Sequence, residues 1–101
     1  MTIQSDELKR TDFINWLKAK QPDEIVGHTA MACECPIARW LTDVFGGQFG
    51  VTRNYYSHYS EETVRRPNTE WMTTFVFKLD MTYSGPVARE QALELINRIG
   101  D

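Results

Sequence analysis

Two thiols and two imidazoles are the side chains of broadest chemical reach in this 101-residue chain: Cys33 and Cys35, with His28 and His58. Three of them fall in one stretch, GHTAMACECPIARWL (27–41), where Cys35 also opens a Cys-Pro step into an apolar run. Four thiolate and imidazole donors are what a tetrahedral zinc site needs, so the inventory is just sufficient. The spacing is unsuitable, because Cys-x-Cys lacks the two-residue turn of a zinc knuckle and the histidines form no closely spaced pair. No metal is expected, and no other cofactor.

Thiol chemistry at Cys35 is the second possibility. Pro36 suits the first turn of a helix, which would set Cys35 at the helix N-terminus, where the macrodipole and open N–H groups lower a thiol pKa. Glu34 opposes the thiolate, and no base is at hand unless the fold brings His28 or His58 near. The preferred reading is structural: Cys35 as a small, readily buried side chain at the start of the helix. Paired carboxylates at an interpretable spacing, a Gly-rich phosphate loop and a Gly-x-Ser-x-Gly elbow are all missing from the sequence, so hydrolase and nucleotide-binding readings have no foothold. A binding protein is expected rather than an enzyme, with a thiol- or zinc-dependent activity at Cys35 as the alternative.

A second concentration is VTRNYYSHYSEETVRRP (51–67), which gathers Tyr55, Tyr56, His58 and Tyr59 with Arg53, Arg65 and Arg66. Tyr and Arg anchor protein interfaces, and they also pack as cross-strand pairs in hairpins. Both can stack on bases, but 14 acidic against 11 basic residues give a net charge of −3, which supplies no general attraction to nucleic acid or anionic lipid. A protein partner or a second copy of the chain is therefore expected on this surface, which Phe77 joins.

The elements that position these residues follow from punctuation and period. TDFINWLKAK offers Thr11 as N-cap and puts Phe13, Trp16 and Leu17 on one helical face; Pro22 ends it. CPIARWLTDVFGG predicts a helix with Ile37, Leu41, Val44 and Phe45 buried, Trp40 at the margin, Arg39 and Asp43 in solvent, and Gly46-Gly47 as C-cap. QFGVTRNYYSHY reads as a strand, with SEETVRRP as turn and short return strand. Residues 69–80 fit either a strand or a helix; helix is preferred, because Trp71, Met72, Phe75, Val76 and Leu79 then share an arc of about 140° with Phe77 outside it. SGPVAREQALELINRIG predicts a closing helix with Pro86 near its start and Ala92, Leu95, Ile96 and Ile99 on one face.

The order FINWL, DEIVG, CPIARWL, EWMTTFVFKLD, GPVAREQALELI resembles a small uncharacterised bacterial family marked by a Gly, a short gap, Cys-Pro-Leu-Ala and an aromatic-Leu pair. Ile37 replaces the Leu here, and Cys33 is additional. The resemblance implies no activity; it supports a helix over 69–80. One α+β domain over 1–101 is expected, mainly helical, with about four helices, a hairpin between the second and third, and a flexible lead over 1–10. The chain is too short for a second domain of ordinary size. The start MTIQSDELKR lacks the features of a secretory signal, no apolar run approaches a membrane span, and the thiol pair is a poor staple. A soluble cytoplasmic protein is expected.

Overall fold

The computed structural model describes residues 8–58 and 65–99. Among these the chain is α+β, with four helices and two small antiparallel sheets. The order is α1 (Arg10–Lys18), β1 (Ile25–His28), α2 (Pro36–Phe45), β2 (Phe49–Val51), β3 (Tyr55–His58), β4 (Arg66–Pro67), α3 (Glu70–Thr82), β5 (Pro86–Ala88) and α4 (Arg89–Asn97).

Apolar residues at helical spacing on α1, α2 and α3 converge on one aromatic cluster. The Phe13 ring lies 5.3 Å from Trp40, 5.6 Å from Trp71 and 5.3 Å from Phe75. Burying such a ring stabilises the fold by roughly 1.5–3 kcal/mol. Trp40 is thus core rather than marginal, because α2 packs against α1 as well as the sheets, while Val44, expected inside, is 56 % exposed in the last turn. Periodicity assigns an angle around the helix; it does not say how far along the axis the neighbours reach. α1 begins before Thr11, with Lys9 as N-cap. Leu8 is buried and its carbonyl accepts the Trp71 indole N–H at 3.0 Å, so Leu8 belongs to the packed body. Residues 1–7 lie outside the described residues.

The two-stranded sheet was not legible in the sequence. β1 pairs with β5 (Gly27 opposite Val87, His28 opposite Pro86), so Pro86 sits in a strand and the last helix starts only at Arg89. The first amides of α4 are satisfied by the loop before β1: Arg89 N–H donates to the Glu24 carbonyl at 2.8 Å and Glu90 N–H to that of Pro22 at 3.1 Å. Ala92, Leu95, Ile96 and Ile99 are buried, as their spacing predicts.

The hairpin does lie between α2 and α3, but its turn is earlier than expected. Phe49 pairs with His58 and Val51 with Tyr56, so the segment read as one strand is two, turning at 52–54. β4 then pairs with β3, Tyr56 opposite Arg66. α3 is helical and buries Trp71, Met72, Phe75, Val76 and Leu79. Before it, the Asn68 side-chain amide donates to the Thr52 and Arg53 carbonyls at 2.8 and 3.0 Å, fastening the β2–β3 turn to the start of α3.

Candidate functional site

The stretch 27–41 runs from the end of β1 through a loop at 29–35 into α2, and the loop is clasped at both ends. Gly27 lies so close to Pro36 that a β-carbon there would be 2.5 Å from the proline nitrogen. His28 N–H donates to the Glu34 carbonyl at 2.7 Å, and Val51 N–H to that of Ala32 at 2.9 Å. Ala30 adopts a left-handed φ of 60° and donates its N–H to the Asp80 carboxylate at 3.2 Å. The Gly and Cys-Pro of the motif therefore have a packing role.

Cys35 is the N-cap of α2, its sulfur accepting the Ala38 N–H at 3.4 Å. Burial pushes its thiol up to about 11, outweighing the hydrogen bonds from Ala38 and Ile37 that favour the thiolate. The lowering expected at a helix N-terminus is real but smaller than the desolvation. Cys33 is half-buried, and neither cysteine is in a disulfide. His28 Nδ1 lies 2.8 Å from the Thr29 carbonyl, while the His58 ring packs edge-on to Phe49 with centroids 4.8 Å apart. Among the described residues no three His, Cys, Asp or Glu side chains are grouped to hold a metal.

The Tyr/Arg concentration is divided by the pleat. Tyr56, expected at the surface, is 1 % exposed in the core; the turn at 52–54 sets which side of β3 faces inward. Tyr55, on the other side, is 47 % exposed, opposite Pro67. Arg66 is partly buried, Arg65 is exposed, and Tyr59 lies outside the described residues. Arg53 and Phe77 come together, the guanidinium carbon 4.8 Å from the centroid of a ring that is 40 % exposed. One turn further along α3, Met81 is 71 % exposed. Arg53 also lines a hollow of about 340 Å³, with Met31, Cys35, Val51 and Val76 among its apolar lining and Asp80 among its polar lining.

A second cavity, of about 520 Å³, opens between the C-terminal turn of α1 and α2. It is lined by Trp16, Lys20, Glu24, Ile25, Cys33, Glu34, Arg39 and Asp43 among others. Arg39 and Asp43 are not merely solvated. Arg39 donates to Glu34 at 2.7 Å and Asp43 accepts the Trp16 indole N–H at 2.9 Å. The local signs of this site in the sequence are two four-residue spacings, Arg39 and Asp43 on α2, and Trp16 with Lys20 just past the end of α1.

No family model, curated protein or solved structure matches the chain. Among the described residues no helix is long and apolar enough to cross a membrane.

Proposed function

We propose that the chain is a small interaction module that holds a protein partner on the face made by the β2–β3 turn and the outer side of α3. The observation that carries this reading is the Arg53 guanidinium stacked over half-exposed Phe77. Phe, Met and Arg are enriched at interface centres, and here Arg53 and exposed Met31 line one hollow while exposed Met81 lies one turn along α3 from Phe77. Asn68 fixes the backbone that carries Arg53, so the surface is preorganised and loses little freedom on binding. The partner's chemistry follows: an apolar side chain for the hollow, and a carboxylate for Arg53 beside it. The buried Cys35, with its raised pKa, counts against a thiolate function.

Phe77→Ala and Tyr55→Ala test the face, Tyr56 being unsuitable because it is core. Each anchor is expected to weaken binding by about 1–2 kcal/mol, with circular dichroism unchanged. Partners retained by wild type are compared with those retained by Phe77→Glu, then re-measured as purified pairs, and sedimentation reports whether the partner is a second copy. Loss of binding with Phe77→Glu but not with Lys18→Glu supports the reading. Equal binding by wild type and Phe77→Glu overturns it.

A further inference from the structure

The cleft between α1 and α2 is chemically unlike the face of α3, and its volume of about 520 Å³ falls among small-molecule sites, roughly 300–1,000 Å³. Two cations and three carboxylates line it, Lys20 and Arg39 with Glu24, Glu34 and Asp43. Arg39 is committed to Glu34, whose Oε2 accepts from Nε at 3.2 Å and from Nη2 at 2.7 Å. Asp43 lies 3.6 Å from Lys20 Nζ. Glu24 accepts the Gln21 N–H at 3.4 Å but has no cation opposite it among the described lining residues, so that lining is one positive charge short.

Lys20 marks what the cleft accepts. Its ammonium rests 4.8 Å over the Trp16 ring and against Asp43, an aromatic face and a carboxylate, the pair that recognises an alkylammonium. The Trp16 hydrogen bond, and after it the Lys20 charge, hold the Asp43 carboxyl below its usual range, so it stays an acceptor. The lysine contact is readily exchanged: the Asp43 side chain is 59 % exposed, and such surface pairs contribute only about 0–1 kcal/mol. From this arrangement we infer that the cleft binds a small aliphatic diamine or polyamine, one ammonium taking the seat Lys20 now fills and a second meeting Glu24. An anionic ligand would face all three carboxylates, and a neutral one would leave Glu24 without a cation. The inference does not depend on the α3 face.

Calorimetric titration of the full chain with 1,5-diaminopentane, 1,5-pentanediol and glutarate tests it. The diamine is expected to bind one to one, about tenfold or more tighter than the diol or the diacid. Asp43→Asn and Glu24→Gln should each weaken it about tenfold with the circular dichroism unchanged. Glu70→Gln, removing a like charge on α3, should change nothing. Lys20→Met should tighten binding, because it removes the internal competitor. The inference fails if the diamine does not saturate at millimolar concentration, if diol or glutarate binds as well, or if Glu70→Gln acts like Glu24→Gln. It fails equally if Lys20→Met weakens binding. Should Asp43→Asn unfold, exposed Glu24 still decides.

Discussion

Replacing Gly27 by Ala probes the Gly…Cys-Pro stretch most directly. The added β-carbon would meet Pro36 N at 2.5 Å, Cδ at 2.6 Å and Cγ at 2.7 Å. Carbon contacts are comfortable near 3.5–4.0 Å, so the overlap is about 1 Å, and every atom struck belongs to the ring or backbone of the first residue of α2. Relief requires moving the start of α2 away from β1, which opens the 2.7 Å bond from His28 N–H to the Glu34 carbonyl and shifts Cys35 in the core. Overpacking costs about 1–3 kcal/mol and the lost hydrogen bond about 1, giving roughly 2–4 kcal/mol. That is a large share of the 5–15 kcal/mol typical of a domain, and it lowers the melting midpoint by roughly 10–30 °C. Urea unfolding followed by tryptophan fluorescence measures it. Gly46→Ala is the comparison: its β-carbon meets nothing within 4 Å, but φ is +82°, so strain without a clash should cost about 1–2 kcal/mol. If Gly27→Ala loses less than about 0.5 kcal/mol, with amide shifts at His28 and Ile37 unmoved, the tight contact is not there.

The Tyr56 hydroxyl is buried without a hydrogen-bond partner among the described residues, so Tyr56→Phe should be neutral or stabilise by up to about 1 kcal/mol in chemical denaturation, whereas Tyr56→Ala should cost about 3–5 kcal/mol; a loss of stability in the Phe variant would mean that the hydroxyl is satisfied. Cys35 should label far more slowly than half-buried Cys33 with a soluble thiol reagent at neutral pH, and rapid labelling of both would contradict its burial. Its folded pKa is raised from 9.0 to about 11, so the unfolded chain loses the proton first and stability falls as pH climbs from about 9 to about 11. At pH 10 wild type should have lost about 1.4 kcal/mol more, relative to pH 8, than Cys35→Ala has; parallel pH profiles would refute this.

How much was legible depended on whether an element carries its own period. α3 does: its five buried side chains share one helical arc that leaves Phe77 outside it. β1 and β5 do not. They run for four and three residues, and what makes them strands is their mutual pairing across some sixty intervening positions, which no local pattern announces. Tyr56 and Trp40 were misplaced for a related reason. Spacing groups residues onto a face, but what covers that face is decided by the turn at 52–54 in one case and by the arrival of α1 and α3 in the other.

The candidate sites were less legible than the fold because each is assembled from several segments, and the loop at 28–35 serves both. Ala30, Met31, Ala32 and Cys35 line the hollow beside α3, while Cys33 and Glu34 line the cleft beside α1. The loop can present different residues to two cavities because it is held at its ends by Gly27 on Pro36 and His28 on Glu34, and across its middle by Ala32 on Val51 and Ala30 on Asp80. Cys35 caps α2 through its sulfur, and the loop before it sets the position of Glu34 and, through Glu34, the orientation of Arg39. A displacement of Pro36 relative to Gly27 moves one wall of each cavity together. Binding at the α3 face and binding in the cleft should therefore weaken together in a Gly27 variant that still folds, whereas Phe77 and Glu24 variants should separate them.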